Sequence, residues 1–183
     1  MEAIRLREPC LVVLVGAAGS GKSTLAAGWF DDREILSSDR YREVASGDAA
    51  DQGASDEAFR LLHRDLEARL AKSGSAIVDA TNVQPFARRA LLERAHAAGV
   101  PAIAIVLDLP ADVLLARNAA RKDRVVPTAA VRRQLADLHR SLDGRGLPPE
   151  GFDEVYVIRT PEALDGLVLM RGSAPVSPRN PPR

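Results

Sequence analysis

Nine residues near the start of the chain constrain it more than any other stretch. Gly16-Ala17-Ala18-Gly19-Ser20-Gly21-Lys22-Ser23-Thr24 fits the pattern Gly-x4-Gly-Lys-Ser/Thr. An unbroken apolar run, residues 10–15, leads into it, and a helical stretch, 23–30, follows. That strand–loop–helix setting is what the pattern requires. Glycines let the backbone turn tightly enough for its N–H groups to converge on phosphate oxygens, and the helix adds the partial positive charge of its N-terminus. Lys22 is placed to reach β- and γ-phosphates, and Ser23 to offer a hydroxyl to Mg²⁺. The nine residues read as the binding loop of a nucleoside triphosphate. The bland alternative is a glycine-rich turn that binds nothing.

The remainder of the chain repeats the rhythm. Short apolar runs at 34–38, 76–79, 102–107 and 154–158 read as strands buried on both faces. Between them Phe59, Leu62, Leu66 and Leu70 recur at helical spacing, as do Val131, Leu135, Leu138 and Leu142. Residues 86–98 form a third helical segment, stopped by Gly99-Val100-Pro101. Alternation of this kind predicts an α/β fold, a parallel sheet flanked by helices. The 183 residues suit one domain, expected over 1–171. Residues 172–183 carry four prolines and read as a disordered tail or linker stub. The polar stretch 46–55 reads as a loop over one edge of the site, and 144–151 as a connector. Trp29, Phe59 and Phe86 read as core; His63, His96 and His139 show no metal-ligand spacing.

Composition removes several classes. With 46% hydrophobic and 27% charged residues the chain is neither disordered nor collagen-like. Lys+Arg 25 against Asp+Glu 25 excludes a polybasic protein that coats long nucleic acids. A single cysteine, Cys10, excludes a disulfide framework and a Cys-rich zinc site. No apolar stretch approaches the roughly 20 residues that span a bilayer, and the start lacks a signal peptide's apolar segment. A cytoplasmic protein without a membrane partner is the expectation.

A phosphate loop alone does not separate kinases from motors or switches. The second strand ends Ser37-Ser38-Asp39, followed by Arg40-Tyr41-Arg42. Ligands of open parallel sheets sit beyond the carboxyl ends of strands. A carboxylate there is placed to take a proton from an attacking hydroxyl, with Arg42 one helical turn on to hold a phosphate. The plain alternative for Asp39 is a helix N-cap, worth about 1 kcal/mol. Asp79 ends the third strand, where a carboxylate suits Mg²⁺ or its waters; Thr81 and Asn82 are candidates for substrate contact, turn formation or capping. Residues 117–124 carry four positive charges and one negative. On a helix Arg117, Arg121 and Arg124 would share one face, forming a lid whose cations face a transferring phosphoryl group. A solvated charged face is the alternative.

The loop, Ser-Ser-Asp-x-x-Arg, Val-Asp-Ala-Thr-Asn-Val and Arg-Asn-x-x-Arg, in that order, make residues 8–165 similar to the 5′-OH polynucleotide kinases. The resemblance is closest to the kinase domain of bacterial RNA-repair polynucleotide kinase–phosphatases. It implies a P-loop kinase fold with an arginine-bearing lid and ATP and Mg²⁺ as donor and cofactor. The acceptor it implies is a 5′-OH end of single-stranded or nicked RNA or DNA. By the same resemblance Lys22 and Ser23 hold ATP and Mg²⁺, and Asp39 activates the 5′-hydroxyl. Arg42 contacts the reacting phosphate, and Arg117 and Arg121 clamp ATP. Gln52 aligns with an acceptor-side glutamine, and Arg124 flanks the nucleotide base. Repair proteins of this kind continue into phosphatase and nucleotidyl-transferase domains, so a free-standing kinase or one with separately encoded repair partners is expected. Two other readings stand beside it. One is a P-loop kinase of small molecules, acting on a sugar, antibiotic or nucleoside hydroxyl. The other is a non-catalytic nucleotide-gated module, which needs neither Asp39 nor an arginine lid.

Overall fold

A computed structural model describes residues 3–48, 53–121, 124–144, 146–172 and 174–175. Its first long strand is the apolar run before the phosphate loop. In chain order the elements are β1 (Ile4–Leu6), β2 (Leu11–Val15), α1 (Lys22–Trp29), β3 (Ile35–Ser37), α2 (Ser38–Ser46), α3 (Ser55–Leu70), β4 (Ala76–Asp79) and α4 (Pro85–Ala97). They continue with β5 (Ala102–Leu107), α5 (Ala111–Ala119), α6 (Thr128–Asp143), β6 (Glu154–Ile158), α7 (Pro161–Asp165), β7 (Leu169–Arg171) and β8 (Ala174–Pro175).

Five strands form one sheet in the order β3-β4-β2-β5-β6, and every neighbouring pair is parallel. The central strands β2 and β5 are buried throughout, because helices cover both faces. Alternation along the strands divides the core. Val12, Leu14, Ile103 and Ile105 pack with Leu25, Phe30, Leu114 and Val131 on one face. Val13, Val15, Ala104 and Val106 pack with Leu62, Leu66, Leu91 and Leu92 on the other. Each valine, leucine, isoleucine or phenylalanine among them, fully buried, contributes about 1.5–3 kcal/mol relative to exposure.

Four local expectations change. Residues 4–6, unassigned from the sequence, join β7 and β8 in a second, three-stranded sheet. Ala174–Pro175, inside the segment set apart as a tail, pairs antiparallel with β7; residues 176–183 lie outside the described residues. Phe86 is not core but 73% exposed. Helix α4 buries Arg88, Leu91, Leu92 and Ala95, and a residue two positions before Arg88 points the other way at 3.6 residues per turn. The lid also departs from a single helical face. Helix α5 ends at Ala119, so it carries Arg117 but neither Arg121 nor Arg124. Asn118, 2% exposed, stops it. Its Nδ2 donates to Val126 O (2.8 Å), and Val126 N donates to its Oδ1 (3.1 Å). That pair of bonds ties Val126, shortly before α6, to the last turn of α5.

Candidate active site

Strand register brings the candidate residues together. Asp79 on β4 lies level with Leu14 on β2 and with Ser37 on β3. One or two residues beyond those positions come the phosphate loop, Ala80 and Thr81, and Asp39. Three adjacent strands therefore deliver the loop and both carboxylates to one edge of the sheet. Gly16 N donates to Thr81 O at 2.9 Å, which ties the loop to the β4 exit. The cavity at this edge, about 1220 Å³, receives Lys22, Ser23, Thr24, Asp39, Arg42, Asp79, Arg117, Arg121 and Arg124 together.

The loop joins β2 to α1 in the setting its pattern requires. Ala18, Gly19 and Gly21 line the cavity, whereas Ala17 and Ser20 are fully buried beneath it with Gly16. Gly19 has φ +84°, and a Cβ there would lie 2.4 Å from the carbonyl oxygen of Leu114. Only glycine fits both the left-handed backbone and that close approach of α5. Lys22 is 8% exposed. Its Nζ donates to Gly16 O and Ala17 O, both at 2.9 Å, and to Ser20 Oγ at 3.3 Å. Burial pushes its pKa down to about 8; the negative charge of Asp79 opposes that shift and the positive charge of Arg121 adds to it.

Asp39 is the second residue of α2, and Ser37 holds the N-cap position. The capping role is therefore not its own. Its Oδ1 accepts from Arg42 Nη2 one helical turn away and from Arg124 Nη1 at 2.8 Å. Arg42 is 6% exposed, and burial with the neighbouring Arg124 charge pushes its pKa down. Arg124, expected by resemblance beside the nucleotide base, here donates to Asp39.

Asn82 stands apart from the other candidates. It is 3% exposed, has φ 48°, and its Nδ2 donates to Leu14 O at 2.8 Å. Its side chain fixes the turn after β4. It lies outside the main cavity but lines a smaller groove beside it with Phe59 and Phe86; the α4 N-cap is Gln84. Gln52 lies outside the described residues.

Three residues at or behind the site escaped the sequence reading. Gln134 on α6 accepts a hydrogen bond from Ala18 N at 2.9 Å and lines the cavity. Asn118 ties Val126 to α5 as described. Arg88, fully buried, donates to Asn82 O at 2.8 Å and to both carboxylate oxygens of Glu150 at 2.7 and 2.5 Å, bracing the turn from behind. The only sequence signal for Arg88 was a charge on the apolar side of the α4 pattern. Gln134 sits on a polar position of its helix pattern and gave none.

For a divalent cation, the donors present are the Ser23 hydroxyl and the Asp79 carboxylate, both hard oxygens of the kind Mg²⁺ takes. Among the described residues no group of three or more His, Cys, Asp or Glu forms a protein cage. That suits an ion bound through one or two protein oxygens together with phosphates and water. Among the described residues no helix is long and apolar enough to cross a membrane.

No curated protein matches the chain. Among solved structures it is similar to a chain of the Pnkp1/Rnl/Hen1 RNA repair complex, at 24% identity and TM-score 0.59, over 75% of this chain and 46% of that one. It thus spans less than half of that chain's length. It is also similar to a sugar kinase from Janibacter sp. HTCC2649 (22% identity, TM-score 0.55, 82% of this chain and 84% of that one). A gluconokinase from Sinorhizobium meliloti 1021 matches at 19% identity and TM-score 0.51, over 84% of each chain. These likenesses establish a P-loop kinase fold, which with the loop above implies ATP binding. The family model of the AAA domain, AAA_33, matches residues 11–144, from the first strand of the main sheet to the end of α6. Since that span takes in most of the chain, including the phosphate loop, Asp39, Asp79, Arg117, Arg121 and Arg124, the protein belongs to the AAA domain family AAA_33.

Proposed function

We propose that the protein is an ATP-dependent polynucleotide 5′-hydroxyl kinase, transferring the γ-phosphate of ATP to the 5′-OH end of RNA or DNA in nucleic-acid repair. The observation that carries this reading is the acceptor side of the cavity, where Asp39 is flanked by the buried Arg42 and by Arg124. Two guanidiniums around a candidate base suit an acceptor that brings its own phosphates. Phe59 lines this cavity and also an adjoining groove of about 590 Å³ between α3 and α4, which holds the exposed Phe86. That leaves room for more than one nucleotide unit, with aromatic faces on which bases stack.

In this reading Lys22 and the loop amides hold the β- and γ-phosphates. Asp39 accepts the proton of the 5′-hydroxyl as its oxygen bonds to the γ-phosphorus and the bond to the leaving ADP oxygen breaks. Arg117 and Arg121 clamp the phosphates and offset developing charge. Mg²⁺, held through Ser23 and Asp79, supplies further neutralisation of the phosphates when bound. Arg42 orients Asp39 and meets the acceptor phosphate. Separately encoded repair proteins are the partners this activity would serve.

The likeness to sugar kinases over most of both chains favours a second reading, a small-molecule kinase of the same fold. One experiment decides between them. Labelled γ-phosphate from ATP is offered to a 5′-OH oligonucleotide and to a panel of sugars, sugar acids and nucleosides. Transfer to the oligonucleotide is expected; transfer confined to a small alcohol overturns the polynucleotide reading and leaves the kinase fold untouched.

A further inference from the structure

The Ala17–Ala18 peptide is held from both sides. Its carbonyl accepts from Lys22 Nζ at 2.9 Å, and its N–H donates to Gln134 Oε1 at 2.9 Å. Because a backbone N–H must meet an oxygen, the orientation of the Gln134 amide is fixed by chemistry: Oε1 faces the loop and the donor-only Nε2 turns away from it. Among the described residues no hydrogen bond from that Nε2 to a protein acceptor is found, and Gln134 lines the cavity beside Arg117, Arg121 and Arg124.

Its backbone is firmly seated. Helix α6 buries Val131, Leu135 and Leu138. Gln84 is bonded to Asp137, and Arg88 Nη2 donates to Ser141 Oγ at 3.0 Å. Gln134 thus presents two N–H donors from a rigid helix, one peptide away from the seat of the lysine that reaches the terminal phosphates. Nothing in the acceptor chemistry uses it.

We propose that Gln134 is a specificity-determining residue that reads the terminal phosphate of the nucleotide. Oε1 stays on Ala18 N–H, and Nε2 donates to a γ-phosphate oxygen, so that a triphosphate is held in preference to a diphosphate. The inference rests on the nucleotide-binding loop alone and is independent of the acceptor.

The test is calorimetric binding of the β,γ-imido analogue of ATP and of ADP, each with Mg²⁺, to the full chain and to Gln134→Glu. The glutamate still accepts from Ala18 N–H but replaces the donors with a negative charge. Affinity for the triphosphate analogue is expected to fall at least about tenfold, the loss of a hydrogen bond to a charged group, and ADP affinity less than about threefold. An equal loss for both nucleotides, or no loss for either, overturns the proposal and leaves Gln134 a loop support. Gln134→Met, which removes acceptor and donors at similar volume, takes the same measurement if the glutamate variant melts early. It must again lose the preference for the triphosphate. Because no acceptor is present, failure of the polynucleotide reading does not alter the result.

Discussion

Asp39 and Arg124 lie 85 residues apart in the chain and meet through a 2.8 Å hydrogen bond. One comes from the first turn of α2 and the other from the segment before α6, so the contact joins two walls of the cavity. Arg42 closes on the same carboxylate oxygen from within α2. The carboxylate is thereby held by two guanidiniums.

Asp39→Asn keeps the shape and removes the basic carboxylate. Single-turnover transfer is expected to fall about 10²–10⁴-fold, the usual contribution of a general base, with nucleotide affinity nearly unchanged. Arg42, almost fully buried, loses an anionic partner, so the melting temperature should also drop by a few degrees, about 1 kcal/mol. Near-normal transfer by the asparagine variant would remove Asp39 from the chemistry.

Nucleotide binding should depend on pH through Lys22. Its pKa is pushed down to about 8 from 10.5, and only the ammonium form grips phosphate. Affinity is then flat below pH 8 in the neutral range and falls by up to tenfold per unit above it. Stability runs the other way: between about pH 8 and 10.5 the unfolded chain holds a proton that the folded chain lacks, so this group's contribution rises with pH. Because the charge of Asp79 holds the lysine pKa up, Asp79→Asn should move the binding midpoint to lower pH. Arg121→Ala should move it higher while weakening ATP. Titration calorimetry from pH 7 to 9.5 measures all three, and a midpoint unmoved by Asp79→Asn contradicts the coupling.

The tie between Val126 and α5 depends on one amide. Asn118→Ala strands the N–H and C=O of Val126, each costing about 1–3 kcal/mol if left unpaired. Faster hydrogen exchange at Val126 and slower phosphate transfer are expected, with β2 and β5 unchanged. Exchange that stays slow there would show that other contacts hold it.

Gly19→Ala meets the Leu114 carbonyl at 2.4 Å and a backbone at φ +84°. Strain of this kind costs about 1–3 kcal/mol, so the loop must shift. Nucleotide affinity is expected to fall more than tenfold, together with a lower melting temperature. A variant that binds nucleotide normally would mean that α5 yields instead.

Local pattern in the chain was enough to place one part of the protein. Short apolar runs placed β4, β5 and β6 at their observed bounds. Strand β5 is buried throughout, as an unbroken run predicts, whereas β6, at the sheet edge, is only partly buried and opens on Glu154. The phosphate loop was legible for a similar reason: its glycines and lysine act within nine consecutive residues. Register then followed from the parallel sheet, bringing Asp79 and Asp39 to the same edge. Pattern failed where a residue's partner is distant. Helical spacing put three arginines on one face, but Asn118 ends α5 by bonding to Val126, and Arg124 donates to Asp39. Nothing local marks Gln134 as a partner of Ala18, 116 residues away. Nor does it mark Arg88 as a partner of Glu150, 62 residues on. Hydrophobic periodicity encodes which face of an element is buried. Which polar group meets which is decided only when the packed elements fix their relative positions, and that tertiary placement is what completes this site.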